Sequence, residues 1–251
     1  MATAYQVTKG LVLRVTDTKE TDKILTVLTP DMGKIGVIAK GARRKGSRVA
    51  AATQLLVYSE MTLYESRSWY MLNEAATISL FNGVRQDVEL LALGSYFAEL
   101  TEAVTEEQMP SGEILSLVCN ALYALGELKK PPELVKTAFE WRLLSLAGFE
   151  PMLDGCAHCG GEAQDPVLDV VNGILHCRGC GAGERALNMP LCEASLAALR
   201  YIVNCDAKKL YRFELGEEAL ARLSHAGEAF LSAQLERGFR TLDFYKQLTG
   251  R

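Results

Sequence analysis

Residues 33–48 read Gly33-Lys34-Ile35-Gly36-Val37-Ile38-Ala39-Lys40-Gly41-Ala42-Arg43-Arg44-Lys45-Gly46-Ser47-Arg48. The first half alternates. Ile35, Val37 and Ala39 fall on one face and Gly36, Ile38 and Lys40 on the other, the period of two that marks a strand. The second half gathers Lys40, Arg43, Arg44, Lys45 and Arg48 around glycines at 41 and 46, with no acid among them. Such a cluster repels itself unless it is solvated or matched by phosphate. The glycines also let backbone N–H groups approach an anion.

The same alternation extends outward on both sides. Upstream, Tyr5, Val7, Leu11, Leu13 and Val15 form one run and Lys23 to Leu28 another, with a turn signal at Pro30-Asp31-Met32-Gly33. Downstream, Leu55, Val57, Met61 and Leu63 alternate with Tyr58, Glu60, Thr62 and Tyr64. After Ser66-Arg67-Ser68 the run Trp69 to Ile78 returns as the second arm of a hairpin. Five short strands in residues 1–80 predict a small closed barrel of the oligonucleotide-binding (OB) type, although strand count alone also permits an SH3-like barrel.

From residue 83 the pattern becomes helical, and residues 81–251 are expected to form a helical domain. Val88, Leu91, Leu93, Tyr96, Leu100 and Val104 recur at three- and four-residue steps. Further helices are expected over Ile114–Leu125, Glu133–Leu146, Leu191–Val203 and Glu217–Leu235. The expected fold is therefore α+β, a barrel followed by an α-helical domain. Charge divides along the same line. Residues 1–80 hold 11 lysines and arginines against seven acids, while residues 81–251 hold 16 against 24. An acidic chain with a basic front end points to the front end as the surface that meets a polyanion.

Seven cysteines need an explanation. The amino terminus does not read as a signal peptide, and no apolar run is long enough to span a membrane. A cytoplasmic protein is expected, and the cytosol keeps thiols reduced. Cys156-x-x-Cys159 and Cys177-x-x-Cys180 are separated by 17 residues, the layout of a zinc ribbon, here expected over 154–187 as an insertion in the helical domain. Four thiolates fill a tetrahedral site and leave no open position for catalysis, so one structural Zn2+ per chain is expected. His158 and His176 lie beside the knuckles and could substitute for a cysteine as ligand; the plainer reading makes them surface residues of the turns. Asn172-Gly173 between the knuckles is a hairpin signal.

These features exclude nucleotide hydrolysis and weigh against a zinc hydrolase or transferase, which would need an open metal position. Gly41-x-x-x-x-Gly46-Ser47 lacks the Lys-Ser/Thr ending of a nucleotide-binding loop and has no parallel βαβ pattern around it. A zinc hydrolase needs a histidine or carboxylate pattern that three histidines do not supply. The aromatics of the last two strands, Tyr64 and Trp69 among them, are candidates to stack on unpaired bases.

Two segments carry a resemblance to a known family. Gly33 to Arg44, with Ser47-Arg48 behind it, and Phe139-Glu140-Trp141-Arg142 through Gly148-Phe149-Glu150-Pro151 leading into Cys156, are similar to the RecO family of bacterial recombination mediators. The resemblance implies a non-enzymatic DNA repair protein that binds single- and double-stranded DNA and anneals complementary strands. With RecR it would help load RecA onto strands coated with single-stranded-DNA-binding protein. It also implies a nucleoid association, and a pocket in the helical body for the acidic tail of that coating protein, with Phe139, Arg142 and Leu143 as candidate residues. The expected DNA contacts are Lys40, Arg43, Arg44, Lys45, Arg48, Tyr64 and Trp69. The rival reading is a zinc-ribbon adaptor that scaffolds a repair complex without DNA contact by the basic stretch.

Overall fold

The computed structural model describes residues 4–67, 69–181 and 187–250. The chain divides into two compact units, Met1–Lys129 with Phe239–Arg251, and Lys130–Gly238.

The first unit is built on five strands that close into a barrel in the order β1-β2-β3-β5-β4. These are β1 (Tyr5–Thr18), β2 (Asp22–Thr29), β3 (Gly33–Ala39), β4 (Tyr58–Ser66) and β5 (Trp69–Ser79). This is the OB arrangement, and the SH3-like alternative falls away. All neighbouring pairs are antiparallel except β3 with β5. Alternation works as the sequence implies: along β3, Gly33, Ile35, Val37 and Ala39 are buried and the residues between them are half-exposed. Val12, Leu25, Val27, Ile35, Val37, Met61 and Leu63 fill the interior.

One expectation shifts here. The fourth strand begins at Tyr58, not near Leu55, because Leu56 takes a left-handed conformation (φ +59°) and the preceding residues form successive turns. Leu56 and Val57 are fully buried all the same, and the Leu56 N–H donates to the Val12 carbonyl. They anchor the long β3–β4 connection instead of pairing in the sheet.

A short helix α1 (Asn82–Arg85) leads to α2 (Val88–Val104) and α3 (Gly112–Gly126). Asp87 caps α2, its carboxylate accepting from the N–H groups of Glu89 and Leu90 at 2.9 and 3.1 Å.

The second unit opens with α4 (Pro132–Leu146), whose proline sits at the helix start where no N–H is needed. A three-stranded sheet of order β7-β6-β8 follows, from β6 (Pro166–Asp169), β7 (Ile174–Cys177) and β8 (Asn188–Pro190). Then come α5 (Glu193–Asn204) and α6 (Glu217–Leu235). Trp141 of α4 stacks on Phe230 of α6 with centroids 5.1 Å apart, and its indole N–H donates to the Leu223 carbonyl at 3.2 Å. The approach needs Gly227, since a Cβ there would stand 2.9 Å from the indole nitrogen. Lys136 is buried on α4 and bridges the carboxylates of Glu228 and Glu140 at 2.7 and 3.3 Å. A pair this deep holds its geometry only because each charge has a partner.

The chain ends on α7 (Arg240–Thr249), which packs along α2 in the first unit, where the Thr241 N–H donates to the Glu99 carboxylate at 3.1 Å. Helices α1 to α3 and α7 therefore go with the barrel, and the division at residue 80 drawn from periodicity is not where the contacts divide. No described helix is long and apolar enough to cross a membrane.

Leu25 is fully buried in the barrel interior. Leu25→Ala is expected to cost about 2–5 kcal/mol. Urea unfolding followed by circular dichroism should show an earlier barrel transition with little change in its slope.

Candidate nucleic-acid interface and metal centre

Strand β3 ends at Ala39 and its outward face runs directly into the basic stretch. Residues 40–57 are a chain of turns pinned at their start. The Gly41 N–H donates to Asp22 Oδ1 at 2.8 Å and the Arg43 N–H to the Thr21 carbonyl at 2.9 Å. The bond from Gly41 holds the Asp22 carboxyl below its ordinary range, with help from Lys19, Thr21 and Arg44 against the cost of burial. Gly41 reaches this position with φ +65°, where a side chain is strained. Ala42 then turns inward and joins the barrel core.

This anchoring leaves Lys40, Arg43, Arg44, Lys45 and Arg48 all exposed. Arg43 Nε lies 3.4 Å from Asp17 Oδ2. Among the described residues, none of the other four has a carboxylate within ion-pairing distance. Unneutralised cations on one anchored loop are what phosphate contact requires.

The two aromatics separate. Trp69 begins β5, is 42% exposed, and lays its indole over Gly36 of β3. Tyr64 sits on β4, with β5 between it and β3, half-buried and edge-on to Tyr5 at 5.8 Å. Both face outward from the barrel, Tyr64 paired with Met71 two residues beyond Trp69, but only Trp69 lies against β3. Sequence reading passed over Arg67, which is exposed at the tip of the β4–β5 hairpin with φ +58°. It was seen only as part of a turn. It also gave no role to Gly36, although a glycine inside a strand often marks a close approach.

The residues expected to form a peptide pocket are placed differently. Phe139 and Leu143 are fully buried on α4, so neither offers a surface slot. Arg142 donates to the Val203 carbonyl, satisfying the carboxyl end of α5. All three are packing and capping residues of the second unit. The resemblance that named them could not tell a buried face from a groove.

The four cysteines come together, with Cys156, Cys159, Cys177 and Cys180 placing all Sγ atoms within 4.8 Å of one another. Cys159 and Cys177 Sγ are 3.9 Å apart. A tetrahedral ion with metal–sulfur bonds of about 2.3 Å sets its sulfurs about 3.8 Å apart, so the donor set fits such an ion. The first knuckle is shaped by the Cys156 N–H donating to Gly161 and the Gly160 N–H returning to Cys156, at 2.7 and 2.8 Å. The second knuckle is a single tight turn, Arg178–Cys180. The hairpin between them turns on Asp169. Its carboxylate accepts from the Val171 and Asn172 N–H groups, and Gly173 follows at φ +66°. Of the expected ribbon, 154–187, residues 182–186 lie outside the described residues.

The electrostatics favour a cation. N–H groups of Cys159 and Cys177 push the Cys156 thiol down to about 5. Cys180 is pushed up to about 12, first by the Cys156 sulfur and then by burial. Once one thiolate forms, the others resist a second negative charge until a cation joins them. The histidines are not donors. The ring nitrogens of His176 reach the Cys177 carbonyl and Asn188 Oδ1, each at 3.0 Å, and His158 stands edge-on to it.

Comparison with known proteins covers nearly all of the chain. Family models described as Recombination protein O N terminal and Recombination protein O C terminal match residues 1–81 and 85–243. A DNA repair protein RecO of Acetivibrio thermocellus is 32% identical over 245 residues, 97% of either chain. That of Symbiobacterium thermophilum is 32% identical over 95% of this chain and 96% of its own. That of Bacillus subtilis is 30% identical over 86% and 84%.

Metal binding at the cysteines should compete with protons. The lowered Cys156 thiol contributes above the ordinary thiol range and loses its contribution as pH falls toward about 5. Metal release to a chromogenic chelator is therefore expected as pH falls toward 5. Cys156→Ser should abolish the bound equivalent at every pH.

Proposed function

As the chain belongs to the RecO family of DNA repair proteins, we propose that it is a recombination mediator acting by binding rather than catalysis. It takes single- and double-stranded DNA on its barrel and anneals complementary strands. With RecR it loads RecA onto single strands coated with single-stranded-DNA-binding protein, whose acidic tail it also engages. The observation that carries this reading is the anchored loop of exposed, largely unpaired cations at the end of β3.

The physical basis is counterion release. Two complementary strands repel through their phosphates, and each lysine or arginine that contacts a phosphate removes part of that repulsion. A loop whose backbone is already pinned by Gly41 and Arg43 brings its cations together with less ordering cost than a free tail. In OB folds the outward face of strands 2 and 3, with the loops beside it, is the usual nucleic-acid surface. Here that face carries Lys34, Gly36 and Ile38 from β3, with Lys40 just past the strand's end. Action at the nucleoid follows from such a role.

The ion at the cysteines is zinc, one per chain. It is structural: four sulfurs complete its coordination, and bound there it would tie the two knuckles to one point. The tail of the coating protein then needs a site other than Phe139 and Leu143, because both are core residues.

The experiment is a salt titration of Arg43→Glu/Arg44→Glu against wild type on a single-stranded oligonucleotide. Affinity should fall roughly tenfold at low salt, and the log–log salt slope should become shallower by about 1.4. An unchanged affinity and slope would favour an adaptor that touches DNA only through other proteins.

A further inference from the structure

We propose that the groove beside Trp69 holds one unpaired nucleobase against the indole, seated by Gly36, and that this groove makes the barrel prefer single-stranded to duplex DNA. The inference rests on the DNA-binding reading above and deepens it. It begins with a contrast between the two tryptophans. Trp141 is fully buried and makes core contacts, whereas Trp69 is 42% exposed at the start of β5. Packing in the interior does not account for it.

Gly36 accounts for its position. A Cβ built on Gly36 would stand 2.8 Å from Cζ3 and 3.2 Å from Cε3 of Trp69. The ring thus lies on the bare backbone of β3, closer than any side chain at 36 would allow. One side of the indole is held by the strand, while part of the ring stays open to solvent. An aromatic surface fixed in this way stacks on a base without first being ordered.

The groove beside the indole, about 660 Å³, has the chemistry of a base and not of a phosphate. Its apolar part is Met32, Tyr70 and the indole. Its rim carries three carboxylates, Asp31, Glu65 and Glu107, against Lys34 and Arg67. Lys34 is already committed, its Nζ donating to the Glu102 carbonyl at 2.7 Å. A phosphate entering here meets more negative than free positive charge. A nucleobase is flat and uncharged, with donors and acceptors along its edge, and the Gln108 amide on the rim can both donate and accept.

The phosphates have their own place. Gly36 lies on the outward face of β3 and Lys40 just past its end, four residues or about 13 Å on. A strand held by the basic loop therefore reaches the groove within a few nucleotides. In a duplex the faces and edges of the bases are already occupied by stacking and pairing, so the groove can act only on a single strand. Base-on-aromatic stacking is worth about 5- to 150-fold in affinity.

The test measures binding of a 15-nucleotide oligo-dT and of a duplex of equal length by fluorescence anisotropy. It uses wild type, Trp69→Ala and Gly36→Val. The second variant keeps the indole but removes its seat, with a residue well suited to a strand. Both variants should bind oligo-dT about 5- to 150-fold more weakly, keep the duplex within about twofold, and leave the salt slope unchanged. Trp69→Ala should also lose the tryptophan quenching that oligo-dT produces in wild type. Equal losses on oligo-dT and duplex, or no loss on either while wild type binds both, would overturn the groove assignment and leave the basic-loop reading standing. A wild type that binds neither DNA would overturn both.

Discussion

Two residue pairs, Val37 with Tyr70 and Ile38 with Met71, join β3 to β5 and close the barrel. The rest of the first unit depends on that closure. It buries Val37 and Ala39 inside and so commits Gly36 and Ile38 to the outer face. It brings the first residue of β5 alongside Gly36, which is how Trp69 comes to rest there. It also fixes the point where the chain leaves β3 and enters the basic loop. A one-residue slip in this pairing would turn the whole outward face into the core.

The strands were legible because alternation survives in a barrel with one solvated side. The cations were legible because nothing nearby in sequence neutralises them. What could not be read was anything set by distant residues. The pairing of β3 with β5 joins positions 33 residues apart, and no local pattern announces it. Leu56 looked like a strand residue by its hydrophobicity, but its left-handed backbone makes it the foot of a loop. Helix α7 was missed because only Leu242 and Tyr245 are buried while Phe244 and Leu248 stay exposed, which blurs the helical stripe. The candidate pocket at Phe139 and Leu143 failed for a related reason: a resemblance names residues, but burial decides whether they are surface.

The cysteines illustrate the other extreme. Their spacing alone foretold the cluster, since a Cys-x-x-Cys turn brings two sulfurs together regardless of tertiary context. Spacing said less about what surrounds them. Val167, Leu168 and Leu175 are buried between the knuckles and β8 joins the hairpin, so the segment carries a small apolar core beside its cysteine cluster. The two units thus divide the chemistry. The four-cysteine cluster belongs to Lys130–Gly238, while the largely unpaired cations of 40–48 and the exposed tryptophan belong to the barrel.

The central claim is that nucleic acid is met by the outward face of β3 and the loop that follows it. Hydrogen exchange of the full chain, with and without a saturating oligo-dT, addresses it directly. Slowed exchange is expected over residues 34–48 and 65–72, with Lys130–Gly238 unchanged. Protection confined to Lys130–Gly238, with the barrel exchanging as in the free protein, would contradict the account.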